Sequence, residues 1–302
     1  MCSVVGLACG EGFLAFRAFG PSIAMGLGTL VFSLCFIHFG QGLSLSHRSG
    51  YLFVVLAWVL SAAIGALPFM LYGATHSFAD AFFETMSGFT TTGASILSDI
   101  EVLPDSLLLW RAMTHWLGGM GIVVLTVAIL PLLGLNAKSV VEAEAPGPQV
   151  DKFTPRLSQM AKILWLIYLG LTVILVGLLM FGGMSILDAV THSFAAMATG
   201  GFSTRNTSVA AYGSTYIDVV LTVFMVLAGM NFSLHWSMLR GDLRRVWKDT
   251  ELRVYLGIFA AATLIIVFDL KRAGHYGSVG EAARFASFQA SSILDDHWIR
   301  NG

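Results

Sequence analysis

The chain has 302 residues, of which 56% are hydrophobic and only 12% charged. Soluble domains carry about 25% charged residues, so this composition excludes an ordinary soluble globule and fits a polytopic helical membrane protein. A net charge of −1 gives no basic field for nucleic acid. Taken in chain order, the first stretch "MCSVVGLACGEGFLAFRAFG" is weakly apolar and interrupted by Glu11 and Arg17. It reads as a poor first helix or the remnant of one, with no clear cleavable signal. Six apolar runs follow, about Gly20–Gly40, Tyr51–Leu71, Leu107–Gly134, Ala161–Gly182, Tyr216–Leu239 and Leu252–Leu270. Each is long enough to cross a hydrocarbon core of about 30 Å as a helix. The three cysteines, Cys2, Cys9 and Cys35, have no CxxC spacing. They read as small buried apolar residues, with neither a disulfide framework nor a metal site.

The connecting segments alternate in charge. Gln41–Gly50 holds His47 and Arg48, Leu135–Lys162 holds Lys138, Lys152, Arg156 and Lys162, and Arg240–Arg253 holds Arg240, Arg244, Arg245, Lys248 and Arg253. Tyr72–Ser106 has no Lys or Arg but carries Asp80, Glu84, Asp99, Glu101 and Asp105, and Gly183–Ser214 has only Arg205. The positive-inside rule places the first set in the cytoplasm and the second outside. Lys271 and Arg272, after the last span, run against this pattern.

Each outer segment contains a shorter apolar stretch, "FADAFFETMSGF" (Phe78–Phe89) and "ILDAVTHSFAAM" (Ile186–Met197). About three turns is too short to span and suits a re-entrant helix. Each is followed by a Thr/Gly run. Asp188 lies 108 positions after Asp80, and the same offset sets Ala189 on Ala81, Gly201 on Gly93 and Ser203 on Ser95. "TTTGAS" (Thr90–Ser95) thus lies over "ATGGFS" (Ala198–Ser203), an internal repeat. A third copy begins with Leu252–Leu270 and "EAARFASFQASSIL" (Glu281–Leu294), where Phe288-Gln289 falls on Phe83-Glu84 at an offset of 205. After Leu294 the chain reads "DDHWIRNG" in place of a third Thr/Gly loop.

Non-helical backbone at membrane depth is tolerated where protein buries it or where it lines a water-filled cavity. The carbonyl end of a short helix favours cations, and an extended strand after it presents successive carbonyls, as in a potassium filter. Glycine permits backbone conformations closed to other residues, so Gly93, Gly200 and Gly201 fit as filter glycines, and Thr hydroxyls add ligands or braces. The alternative is a plain polar turn. Two copies in register, each behind a short apolar helix, argue against it. Two copies do not close a fourfold ring.

These residues resemble the Trk/Ktr/HKT superfamily of potassium transporters, in particular the bacterial Trk-type membrane subunit. The matching motifs are "DAFFETMSGFTTTGA" (Asp80–Ala94), "HWLGGMGIVVLTVAILPLLG" (His115–Gly134), "EAPGP" (Glu144–Pro148), "FTPR" (Phe153–Arg156), "AKILWLIY" (Ala161–Tyr168), "HSFAAMATGGFST" (His192–Thr204) and "AGMNFSLHW" (Ala228–Trp236). With the spans around them the resemblance runs from about Tyr51 to Leu294. It implies an all-α integral membrane protein of tandem span–pore-helix–span repeats with re-entrant filter loops. The expected units are residues 1–50 as an N-terminal membrane region, 51–134 as the first repeat, 135–160 as a cytoplasmic linker, 161–240 as the second repeat and 252–302 as an incomplete third. The resemblance further implies that Thr90, Thr91, Thr92, Gly93 and Ala94, with Ala198, Thr199, Gly200, Gly201 and Phe202, line two quarters of a potassium filter through main-chain carbonyls. In the family it resembles, a filter glycine goes with potassium selectivity, so the resemblance implies that Gly93 and Gly201 favour potassium over sodium. The implied activity is potassium uptake across the bacterial inner membrane, with K+ as the transported ion and no covalently bound cofactor. The implied partners are a second copy of the subunit and a cytoplasmic nucleotide-binding regulatory ring of the Trk-A type, in a lipid membrane and without nucleic acid. Repeat three is expected to be cut short and repeat four missing. The alternative function is therefore a non-conducting truncated fragment of such a subunit.

An intramembrane enzyme finds no nucleophile–base pairing here, and no enzymatic activity is expected. His115, His192 and His235 lie on different units with no i, i+4 pair, so hydrogen bonding is expected in place of haem or metal ligation. Glu84 has two open readings: drawing cations to the pore mouth or hydrogen bonding behind the filter. Arg111, near the outer end of its span, is expected to snorkel. Gly118–Gly121 is expected to let helices pack closely beside the filter, and Gly229 with Asn231 to break or bind a helix. The basic cluster Arg240, Arg244, Arg245 and Lys248 is expected to meet anionic lipid, with a regulatory partner as the alternative.

Overall fold

The computed structural model describes residues 47–124, 154–274 and 276–294, together with residues 2, 5, 6, 10, 11, 15 and 17–28 near the N-terminus. Among these residues the structure consists of helices and turns, without strands. Residues 17–28 are helical, the described part of the run beginning at Gly20, whose remainder lies outside the described residues. The Glu144–Pro148 motif, Cys9 and Cys35 also lie outside them. Cys2 is buried with a free thiol.

The first unit runs α1 (His47–Leu71), α2 (Phe78–Phe89) and α3 (Asp105–Val124), with α2 packed on both longer helices. The second runs α4 (Thr154–Phe181), α5 (Ile186–Met197) and α6 (Thr215–Gly229), continued by α7 (Phe232–Leu239). A short α8 (Leu243–Lys248) then leads to α9 (Thr250–Arg272) and α10 (Val279–Leu294). Helix α5 sits at the centre, packed on α3, α4 and α6, and α10 packs on α9 and α6.

By length and composition three described helices could cross a membrane: Val54–Leu71, Ala161–Phe181 and Thr250–Arg272. The predicted run Tyr216–Leu239 is not one straight helix. It breaks between α6 and α7 with a bend of 103° and makes a fourth span only if the bent pair counts as one. Asn231 is the reason. Its side chain leaves the helix ladder and accepts from Ser233 N at 3.0 Å as the N-cap of α7. Lys271 and Arg272, the exceptions to the charge pattern, lie in the last turn of α9, where a helix end favours cations. Lys271 Nζ also donates to the carbonyl of Gly277 at 3.1 Å.

The two short helices start alike. Ser77 and Ser185 are their N-caps, accepting from Ala79 N at 3.2 Å and Asp188 N at 3.1 Å, and Asp80 and Asp188 fall in the first turns. The largest buried cluster lies around α5, where Leu175, Leu179, Leu221 and Met225 meet Met197 and Phe288 of α10. Between apolar helices, close packing through small residues carries association where water does not drive it. The first unit is built on such contacts. A Cβ on Gly65 would stand 2.6 Å from Thr85, and one on Gly88 only 2.0 Å from the Thr114 hydroxyl.

Candidate functional site

The two Thr/Gly loops have the same backbone at the 108-residue offset. Helix α2 ends with Thr90 N donating to Met86 O, Thr91 N to Gly88 O and Thr92 N to Ser87 O, at 2.8, 3.1 and 2.9 Å. Helix α5 ends with Ala198 N to Phe194 O, Thr199 N to Ala196 O and Gly200 N to Ala195 O, at 3.2, 3.2 and 2.9 Å. Both are Schellman closures, whose turning residue is left-handed and usually Gly. Here it is Thr in each: Thr91 has φ +56° and Thr199 φ +55°. A β-branched residue there costs about 1–2 kcal/mol. Two residues on, Gly93 and Gly201 again have positive φ, +75° and +88°. Two reversals in three residues turn the chain sharply out of the helix end. The closures occupy carbonyls inside each short helix. Among the described residues no hydrogen bond ends on the carbonyls of Thr91–Ala94 or of Thr199–Phe202.

The second loop is packed from behind, with Ala198, Gly200 and Phe202 buried, whereas Thr90, Thr92 and Ala94 of the first are exposed. Helix α3 serves both. A Cβ on Gly118 would lie 2.1 Å from the carbonyl oxygen of Phe89, and one on Gly119 would lie 3.0 Å from Cα of Ala198. One turn earlier, the His115 ring stacks on Phe202 with centroids 3.9 Å apart and fills the space a Gly200 side chain would need, 2.3 Å from its Nδ1. Gly118 and Gly119 therefore set the α3 backbone against the end of α2 and the start of the second loop, whereas Gly121 faces Trp58. The structure also assigns His115 a packing role beside the loop.

Behind each loop, the residue one turn before the helix end holds the serine two positions past the loop glycine. Glu84 accepts from Ser95 Oγ at 3.0 Å and from Ile96 N at 3.1 Å. Its counterpart at the repeat offset is His192, whose Nδ1 lies 2.8 Å from Asp188 O and Nε2 2.9 Å from Ser203 Oγ. A carbonyl only accepts, so Nδ1 carries the proton and a neutral ring accepts from Ser203 at Nε2. Of the two readings of Glu84, the geometry supports bonding behind the loop: its side chain is fully buried.

Arg111 does not snorkel. The residue is 2% exposed, its Nε donates to Glu84 at 2.6 Å, and its Nη1 donates to the carbonyl of Ser203 at 3.1 Å. The guanidinium lies 3.7 Å over the Phe202 ring. A snorkelling arginine needs a path to water, and here a buried carboxylate and the second loop hold it more strongly. Sequence reasoning missed this link. The available signal was two opposite charges in membrane segments, which call for each other as partners. Farther out, Asn206 Nδ2 donates to Asp99 at 2.8 Å while Ile100 N donates to Asn206 Oδ1 at 2.8 Å, tying the two outer segments together.

A cavity of about 430 Å³ opens between the units, lined by Gly93 and Ser95 of the first loop, Gly201 and Ser203 of the second, and Gln289 of α10. Gln289 is the residue that the third copy sets on Glu84. Of the ten predicted filter residues, Gly93, Gly201 and Phe202 line this space, beside Arg111 and Arg205, and the end of α10 reaches it too. Among the described residues no cluster of His, Cys, Asp or Glu could hold a metal ion.

The TrkH family model, described as "Cation transport protein", matches residues 30–271. The Trk system potassium uptake protein TrkH of Escherichia coli K12 is 42% identical over 254 residues, 82% of this chain and 52% of that protein. TrkG of the same strain is 34% identical over 262 residues, 86% of this chain and 54% of that one. The crystal structure of the potassium transporter TrkH from Vibrio parahaemolyticus superposes with a TM-score of 0.76 at 35% identity, covering 96% of this chain and 61% of that chain. The chain therefore spans about half the length of the curated relatives it matches. By the family model, the identities and the shared all-helical fold, it belongs to the TrkH family of cation transport proteins.

Proposed function

We propose that this chain contributes part of a potassium-selective pore and serves potassium uptake, with Thr90–Ala94 and Ala198–Phe202 as two quarters of the filter. The observation that carries the reading is the identical closure of the two loops, left-handed at Thr91 and Thr199 and again at Gly93 and Gly201. On this reading the carbonyls around Gly93 and Gly201, residues that line one cavity, replace the water of a cation. The printed names of the relatives, potassium uptake proteins, support the choice of ion. The tandem span–pore-helix–span plan belongs to the same proposal, with α1–α3 and α4–α7 as two repeats and α9–α10 as the start of a third. So does an inner-membrane, multi-pass placement beside a second copy and a cytoplasmic nucleotide-binding ring. The chain acts as a conduit and not as an enzyme.

Two loops make half of a fourfold ring, so the second reading is that this chain alone does not conduct. Rescue of a potassium-uptake-deficient bacterium at low external potassium separates the two readings. Growth with this chain alone supports conduction by its own copies. Growth only with a version extended to the length of its relatives supports the non-conducting fragment. Failure of both versions, with each present in the membrane, contradicts the uptake reading.

A further inference from the structure

We propose that the corner between α4 and α7 is a binding site for an anionic phospholipid, one acyl chain lying in the groove and the phosphate meeting Arg240. The bend at Asn231 swings α7 across α4. It leaves a groove of about 550 Å³ bordered by Leu166, Gly170, Ile174, Leu227, His235 and Leu239. Gly170 opens it: nothing lies within 4 Å of a Cβ built there. Such an apolar slot takes a hydrocarbon chain, and in a bilayer the supply is lipid.

Charge decides which lipid. Arg240 follows the last groove residue and its guanidinium sits 5.5 Å over the ring of Trp236, a groove wall. Arg244, Arg245 and Lys248 are exposed on α8 just beyond, and Lys162 is exposed beside groove residue Ile163 on α4. None of these five cations forms an ion pair among the described residues. The nearby carboxylates are engaged elsewhere, Asp242 accepting from Arg245 N, Asp249 from Leu252 N and Glu251 from Asn231 Nδ2. Leu239, Leu243 and Trp247 are 71%, 55% and 68% exposed, so apolar and aromatic surface is interleaved with the cations as at a membrane interface. His235 is 5% exposed and closes the floor of the groove, its ring stacked on Phe232. A neutral lipid would fill the slot but leave the basic row unmatched, and a soluble acidic partner would match the row but not enter the slot.

The test uses the whole chain in phosphatidylcholine vesicles, with tryptophan fluorescence quenched by brominated phosphatidylglycerol or brominated phosphatidylcholine at equal mole fraction. Brominated phosphatidylglycerol should bind about fivefold or more in preference, and, in a Trp247→Phe background that removes the tryptophan among the exposed cations, Trp236→Phe should remove the selective part of the quenching. Arg240→Gln should lower the preference about fivefold, the worth of one cation near an anionic surface. Gly170→Leu, which meets open space, should lower binding of the anionic lipid with every charge retained. Equal quenching by the two lipids overturns the site. So does a loss with Arg240→Gln that Gly170→Leu does not share, which would leave only diffuse attraction to a basic surface. The readout is lipid contact and does not depend on potassium transport.

Discussion

At Arg111 a single side chain joins three groups from two distant segments: the Glu84 carboxylate, and the Ser203 carbonyl with the neighbouring Phe202 ring. Removing one partner of a buried ion pair strands the other, at a cost of about 3–5 kcal/mol. Arg111→Gln should therefore lower the thermal midpoint of the detergent-solubilised protein markedly, and Glu84→Gln in the same chain should recover much of the loss. A double-mutant cycle with strictly additive effects would show that the pair is not coupled. The Thr residues at positive φ make a different prediction. Thr91→Gly and Thr199→Gly should each stabilise the fold by about 1 kcal/mol by removing a Cβ from a left-handed turn, while Thr91→Ala should not. Denaturation monitored by fluorescence measures all three. In the sequence the Thr/Gly runs were visible, and so was their register. The left-handed turn at a threonine was not visible, because residue type argues against it and only the demands of the closure override that preference.

At the scale of elements, α3 is the partner both loops share. Its Gly118 and Gly119 approach Phe89, the last residue of α2, and Ala198, the first of the second loop. In an isolated helix Gly→Ala is stabilising by about 1 kcal/mol. Here Gly118→Ala should instead destabilise by about 1–3 kcal/mol, since the obstacle is a backbone oxygen that has no rotamer to escape into. Uptake should fall with it, because both loops must shift. Stability unchanged or raised in the same melting measurement would show that α3 does not set the loops. The helices themselves were largely legible from apolar runs, and the short ones from their length and their Ser and Asp starts. Two things were not legible. The extent of the bend at Asn231 depends on how α7 finds packing against α4, which a linear pattern does not contain. The reach of Arg111 depends on which face of α3 meets α2, and a lone arginine near a span end reads equally as a snorkelling residue.

At the scale of the whole molecule, two similar units are fastened at three depths. The Asn206 bridge to Asp99 and Ile100 lies outermost, the Arg111 link to Ser203 lies behind the loops, and Gly118 and Gly119 of α3 lie against the end of α2 and the start of the second loop. One cavity is lined by Gly93 of the first loop, Gly201 and Phe202 of the second, and Gln289 of α10. The fold class and family were open to reading from motif order alone. The meeting of three units at one cavity needed coordinates, because it depends on the packing of α5 and α10 against shared neighbours. The central claim is that Gly93 and Gly201 belong to one ion-selective ring. Its most direct measurement is rubidium and sodium uptake into potassium-depleted cells by the extended version of the chain, compared with its Gly93→Ser and Gly201→Ser variants at equal membrane abundance. The account predicts that each substitution lowers the preference for rubidium over sodium by about tenfold, equivalent to about 1.4 kcal/mol of differential binding. Unchanged preference in both variants, with uptake retained, would contradict it.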